Sequence, residues 1–273
     1  MTSRTYPDLR KSILLILLFF LSFAIYFTIF SLIPQLLGIT LSEQYTTFVF
    51  SFASPIATLP LIIFVSKKSG IPLRWLLSLP KISTILLLAV LTFLMVVVTN
   101  PLNEISGYIT SFIDKKVSIL YLRLPEFDLN LVIKFIGVVI LAPIVEEYFI
   151  RKQILSILLT KYSPNLSIIL SSAFFAIGHL KLDSIIYLFI WGLLLGVLYY
   201  RTNSIEIAIL THVLWNLAGL FLNEKYVDRM TLSIITNIVF IVISLLVIYL
   251  ILNYLTRKYV SKIENNKPDQ NTI

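Results

Sequence analysis

The sequence predicts an all-α fold, a polytopic transmembrane bundle of about eight helices, on three observations. Of the 273 residues, 58% are hydrophobic and only 13% charged, and the mean hydropathy is +0.93; soluble domains carry about 25% charged residues. Apolar runs recur at about 17 to 25 residues, the length that crosses a hydrocarbon core roughly 30 Å thick. Cations gather at every second connection, the asymmetry that marks cytoplasmic loops.

The apolar runs lie near 12–37, 47–66, 82–100, 131–150, 165–180, 185–200, 205–222 and 231–255. The first follows Arg4, Arg10 and Lys11 and is longer than the roughly 7–15 residues of a signal-peptide core, so it is expected to be a retained span. Pro55, Pro60 and Pro143 fall inside runs, where neighbouring helices can satisfy the freed carbonyls, and they predict kinks, not breaks. The cationic connections hold Lys67, Lys68, Arg74 and Lys81, then Arg151, Lys152 and Lys161, then Arg201, then Arg257, Lys258 and Lys262. Both termini are therefore expected on the cytoplasmic side of the cell membrane. The longest opposite-side loop, 101–130, mixes both signs of charge, and Ile105–Ile113 and Val117–Leu124 are read there as short interfacial helices. The polar tail from Thr256 is expected to be disordered. Three regions follow: N-terminal helices and loops over 1–130, a motif-bearing core over 131–222, and a last helix with its polar tail over 223–273.

The net charge of +8 does not point to nucleic acid, because the Lys and Arg residues flank apolar runs and form no basic stripe interleaved with aromatics. Without cysteine the chain has no thiolate ligand or nucleophile, so the site chemistry must use oxygen and nitrogen. The expected partners are the lipid bilayer and whatever peptide the site binds; oligomeric state is not legible.

Ionisable side chains inside spans cost roughly 2.5–3.5 kcal/mol each near the centre, which makes them functional candidates. Glu147 and Arg151 are four apart and pair on one helix face, with the acid N-terminal, while Glu146 points about 100° away. The only two histidines, His179 and His212, also lie in apolar runs. Phe175 shares a face with His179, and Asn216 shares one with His212. Taken singly, these are an interfacial ion pair, an interfacial histidine and a polar packing contact worth about 1 kcal/mol. Together they assemble an unpaired carboxylate, two imidazoles and an amide, which is what hydrolysis by an activated water needs.

One conflict of depth arises. With a fourth span ending at Ile150, Glu146 would lie near one face and His179 near the other. Continuing that helix to about Thr160 removes the conflict, since Gln153–Leu159 is again apolar and Pro164 supplies a stop.

Glu146-Glu147-x-x-x-Arg151, Phe175-x-x-x-His179 and His212-x-x-x-Asn216, in this order over 131–222, resemble the motifs of the CPBP family of intramembrane proteases. That family takes in the type II CAAX prenyl endopeptidases and the bacterial bacteriocin-processing or immunity proteins also called Abi. The resemblance implies an intramembrane endopeptidase acting on a membrane-associated peptide or protein. Glu146 would be the base, His179 would help hold the water, His212 and Asn216 would hold the oxyanion, and Glu147 with Arg151 would support them. The family is often labelled a metalloprotease. Glu146, His179 and His212 could supply three ligands of an open zinc site, yet a ligating Glu146 is no longer a free base, so the metal-free version is preferred. A bacterial member is expected, with peptide maturation, bacteriocin immunity or regulatory proteolysis as its setting.

Two rival readings of the same residues remain open: a non-catalytic membrane immunity or scaffold protein, and a proton- or metal-coupled transporter, for which no internal repeat is detected. Elsewhere, Gly192-x-x-x-Gly196 predicts a close helix-packing face. Asn203-Ser-Ile-Glu206 predicts a helix N-cap, and Trp75, Trp191 and Trp215 are read as interface markers, Trp215 alternatively as cavity lining. Lys181 and Asp183 are placed in a tight loop.

Overall fold

The computed structural model describes residues 9–72, 78–110, 117–122, 124–227 and 234–265. Among these are eight helices: α1 (Leu9–Leu36), α2 (Glu43–Ser69), α3 (Ile82–Thr110), α4 (Leu129–Leu158), α5 (Pro164–Gly178), α6 (Ile185–Thr202), α7 (Ile205–Phe221) and α8 (Ile234–Asn265). They coincide with the eight apolar runs, and six contain a stretch long and apolar enough to cross a membrane. The other two, α5 and α7, are shorter. Between them they account for both histidines, His179 as the residue that ends α5 and His212 within α7.

Local chemistry sets the helix ends. The Ser42 hydroxyl accepts from the Tyr45 amide to open α2, and Gly70, at φ +69°, closes it in the left-handed conformation that glycine adopts most cheaply. Ser163 caps α5 ahead of Pro164. The cap expected within Asn203–Glu206 divides in two. Asn203, at φ +48°, ends α6, while Ser204 accepts from the Ile207 amide and donates to Glu206.

Helix α4 does not stop at Ile150. It runs on to Leu158, with π-helical turns at Phe135–Leu141 and Tyr148–Leu155 on either side of the segment Ala142–Glu147. The wide turn ahead of Pro143 is one way a helix absorbs a residue that has no N–H to give. The depth conflict disappears with this extension. Counted at 1.5 Å per residue, Glu146 lies about 18 Å from the Leu158 end of α4, and His179 lies about 22 Å from the adjoining Pro164 end of α5.

Several sequence-based expectations need correction. Within the loop 101–130, Val117–Leu122 is a strand, β1, paired antiparallel with β2 (Leu222–Val227), so that Val117 faces Val227 and Leu122 faces Leu222. A β-branched and aromatic run finds a pairing partner in the α7–α8 connection, and pairing satisfies backbone groups that an isolated short helix leaves open at its ends. The other expected interfacial helix, Ile105–Ile113, continues α3 as far as Thr110 and then leaves the described residues. At the C-terminus, α8 carries on through Thr256 to Asn265, so the first ten residues of the polar tail are helical. The apolar turns ahead of Thr256 supply the nucleus that makes each added helical residue cheap.

Close packing holds the bundle. A Cβ on Gly192 would meet Ser172 backbone and side-chain atoms at 3.1–3.2 Å, and one on Gly196 would meet Ile168 at 3.1 Å, so the paired glycines bring α6 against α5. Trp191 is not an interface marker. It is fully buried and stacks on Trp215 with ring centres 4.4 Å apart and planes 6° from parallel. Trp75 lies outside the described residues. Large apolar side chains such as Leu14, Leu17 and Leu21 on α1, and Val242, Leu246 and Leu250 on α8, face outward, as bilayer-facing surfaces do.

Candidate active site

A cavity of about 540 Å³ lies between these helices, and Glu146, His179, His212 and Asn216 all line it. Its wall includes apolar Phe19 and Phe23 of α1 and Phe50 of α2, together with polar groups from α2, α4, α5, α6 and α7.

Glu146 is mostly buried, with 17% of its side chain exposed. Its Oε2 faces both histidines, 4.0 Å from His179 Nε2 and 3.9 Å from His212 Nε2. Its Oε1 accepts a 2.6 Å hydrogen bond from Ser54 of α2. Glu147, on the same helix, turns away from the cavity and is fully buried. Its Oε2 lies 3.0 Å from Arg151 Nε, and its Oε1 accepts from His212 Nδ1 at 3.0 Å. The division of labour read from helical spacing is therefore present: one acid is neutralised inside the bundle and the other faces the cavity.

Hydrogen-bond partners fix how the imidazoles present themselves. A carbonyl only accepts, so His179 Nδ1, 2.8 Å from the Phe175 carbonyl oxygen, carries its proton there. His212 Nδ1 donates to the Glu147 carboxylate. In the neutral rings, both Nε2 lone pairs therefore point toward Glu146 Oε2. The Phe175 ring lies against both imidazoles, with centres 4.6 Å from His179 and 5.5 Å from His212, and Arg151 Cζ sits 5.0 Å from that ring. Phe175 thus serves as a spacer between the cation and the two rings, which explains its place one turn before His179.

Arg151 is completely buried. Besides Glu147, its Nη1 reaches the Ser171 carbonyl oxygen at 3.5 Å, while its Nη2 has no hydrogen-bond partner. A cation held in this way depends on Glu147 and on the Phe175 ring face for compensation.

Asn216 donates from Nδ2 to the Val138 carbonyl at 2.9 Å. Val138 belongs to the first π-helical turn of α4, where the widened ladder offers carbonyl oxygens to partners outside the helix. One amide hydrogen of Asn216 is used in this bond and a second remains.

Several contributors carry no motif. Ser54, Ser51 and Thr58 all line the cavity from α2. Their spacing of three and four residues along an otherwise apolar helix is a polar stripe, and that is the signal by which the sequence announces them. Tyr187 and Trp215 form a second feature on the α6 and α7 side of the cavity, where Trp215 Nε1 donates to the Tyr187 hydroxyl at 2.7 Å. Trp215 is thus cavity lining, the second of its two sequence readings. The pair joins residues 28 apart, and periodicity alone gives no hint of it.

Among the described residues no group of three or more His, Asp or Glu side chains is close enough to hold a metal ion together. Two ligands about 2.0–2.2 Å from one tetrahedral zinc lie roughly 3.4 Å apart, and both histidine–Glu146 separations exceed this by about half an ångström. As placed, the three side chains do not fit a zinc site.

Residues 128–218 match a family model described as Type II CAAX prenyl endopeptidase Rce1-like. The matched stretch opens at Asp128, the N-cap of α4, and closes two residues beyond Asn216, so it contains all three motifs, with α4 and α5 whole and α7 as far as Ala218. Against curated proteins the chain has no match.

Proposed function

We propose, from the match of residues 128–218 to the Rce1-like model of type II CAAX prenyl endopeptidases, that this multi-pass protein hydrolyses a peptide bond of a membrane-associated peptide or protein with water activated by Glu146. The observation that carries this reading is the placement of Glu146 Oε2 within 4.0 Å of two imidazole nitrogens at the wall of one cavity.

The steps follow from the groups present. A water beside Glu146 Oε2 and His179 Nε2 gives a proton to the carboxylate as its oxygen bonds to the substrate carbonyl carbon. The carbonyl oxygen becomes an oxyanion. The free amide hydrogen of Asn216 and the Nε2–H of His212, which takes this second proton from bulk solvent before the substrate binds and keeps it through the cycle, are the donors that hold it. Glu147 then compensates the imidazolium from behind. As the tetrahedral intermediate collapses, the carbon–nitrogen bond breaks and Glu146 returns its proton to the leaving amine. No step is routed through a metal.

Both termini are taken as cytoplasmic, because Arg10, Lys67, Lys68, Lys161 and Arg201 sit at helix ends or loops of one side of the alternation. A bacterial setting in peptide maturation, bacteriocin immunity or regulatory proteolysis belongs to the same proposal. The test is a cleavage assay in proteoliposomes with a candidate peptide. Glu146→Gln and His179→Ala are expected to abolish turnover while membrane insertion and elution in detergent stay normal. Full turnover in both variants would remove the hydrolase reading and leave the non-catalytic scaffold. Metal analysis of the same preparations is expected to find no stoichiometric zinc.

A further inference from the structure

We infer that Ser54 is a positioning residue for Glu146, set in place by a register clamp between α2 and α4. The inference rests on the catalytic reading of Glu146.

The clamp begins with a proline. In a regular helix the Ser51 carbonyl would accept from the amide of residue 55, but Pro55 has none, so this oxygen is left without its partner in the α2 ladder. The backbone of α4 arrives at that place through Gly137. A Cβ there would lie 2.7 Å from the Ser51 oxygen and 2.8 Å from Ser51 Cβ, so only glycine lets the two backbones approach this closely. A second tie lies farther along, where the fully buried Gln153 of α4 donates to the Ile62 carbonyl of α2 at 2.7 Å. Two contacts at different heights fix both the sliding and the rotation of one rod against the other.

Between these ties stands the Ser54 hydroxyl, 2.6 Å from Glu146 Oε1. Glu146 has a flexible side chain, and its other neighbours are imidazoles about 4 Å away, too distant to hold it by hydrogen bonding. Ser54 supplies the direct hydrogen bond that occupies one carboxylate oxygen and leaves the other turned toward His179 and His212. A bond from Thr58 Oγ1 to the Ser54 carbonyl, 2.7 Å long, braces that turn of α2 next to Pro55. Ser54 also lines the cavity, so the hydroxyl that orients the base stands at the wall of the same space.

The experiment compares Ser54→Ala, Ser54→Thr and Gly137→Ala with the parent and with Glu146→Gln in proteoliposomes, reading kcat and KM separately. Ser54→Ala is expected to lower kcat roughly tenfold to a hundredfold with KM changed less than about twofold, the effect of losing one charge-assisted hydrogen bond and the orientation it gives. Ser54→Thr keeps the hydroxyl and is expected to recover most of kcat. Gly137→Ala leaves Ser54 and Glu146 in the chain but forces α2 and α4 apart, and it is expected to lower kcat as Ser54→Ala does. Combined with Ser54→Ala it should add little.

A Ser54→Ala enzyme with parental kcat would overturn the inference while Glu146→Gln, still inactive, upheld the catalytic reading. A fall in kcat that Ser54→Thr does not restore would assign Ser54 to packing and overturn positioning. A Ser54→Ala variant as dead as Glu146→Gln, together with covalent labelling of Ser54 by a fluorophosphonate, would make the hydroxyl a nucleophile and overturn positioning as well. Parental activity in Glu146→Gln would sink the underlying reading itself.

Discussion

Replacing Arg151 by methionine gives the sharpest energetic test of the buried network. Arg151 and Glu147 are both fully buried and lie 3.0 Å apart, and Glu147 has one further polar partner in the cluster, His212 Nδ1. Methionine keeps much of the volume and removes the cation, so a carboxylate stays inside the bundle with no full charge opposite it. Breaking one side of a buried ion pair costs roughly 3–5 kcal/mol, which at about 1.4 kcal/mol per decade is two to three and a half decades in the folding equilibrium. The measurement is unfolding in mixed micelles at rising SDS fraction, followed by tryptophan fluorescence, because the stacked Trp191 and Trp215 lie close to the network. The double variant Glu147→Met, Arg151→Met is the control. Both charges are gone, and stability is expected to return to within about 1–2 kcal/mol of the parent. Proteolysis should not return with it, because His212 has lost the acceptor that fixes its tautomer. Either a double variant no more stable than the worse single, or an Arg151→Met protein as stable as the parent, would refute the reasoning.

Three other perturbations probe separate parts. Gly192→Ala places a methyl group 3.1–3.2 Å from Ser172 backbone and side-chain atoms, so α5 and α6 must part; a loss of about 1–3 kcal/mol is expected in the same SDS titration. Asn216→Ala removes the bond to the Val138 carbonyl and the second amide hydrogen, and kcat should fall by roughly two decades with KM nearly unchanged, as for loss of one oxyanion donor. Prolonged treatment with a chelator is expected to leave turnover within about twofold of the untreated enzyme, on the metal-free general-base reading. A loss restored by zinc would make Glu146 a ligand and not a base.

Most of the bundle is legible in the sequence because a bilayer demands runs of apolar residues of one length, and the eight runs correspond to the eight helices among the described residues. The pairing of Glu147 with Arg151 is legible for the same kind of reason, since a 3.6-residue period fixes what shares a face. Tertiary facts are less visible. Val117–Leu122 looks like an interfacial helix until its partner is known, and that partner, Leu222–Val227, lies four helices further along the chain, beyond the reach of any local pattern. Ser54 gives little away on its own, because a serine in an apolar helix is usually a packing residue, and only the position of α4 turns it into a partner of Glu146. An amphipathic indole suits an interface in general, whereas Trp191 finds its stacking partner inside the bundle.

On the proposed reading, the two short helices explain how a hydrolytic site can exist in such a setting. At 1.5 Å per residue, α5 is about 22 Å long and α7 about 25 Å, both less than a hydrocarbon core of roughly 30 Å. His179 sits where α5 ends, as its C-cap, and not along its wall. A helix that stops short leaves room beyond its tip for the loop Leu180–Ser184, whose Lys181 and Ser184 line the same cavity. Polar backbone at that depth is tolerable only beside protein or water, and the cavity provides such a place. On the proposed reading, the space beside the tip of α5 is where water meets Glu146, and Phe19, Phe23 and Phe50 of α1 and α2, which line the same cavity, offer apolar surface to a membrane-associated substrate.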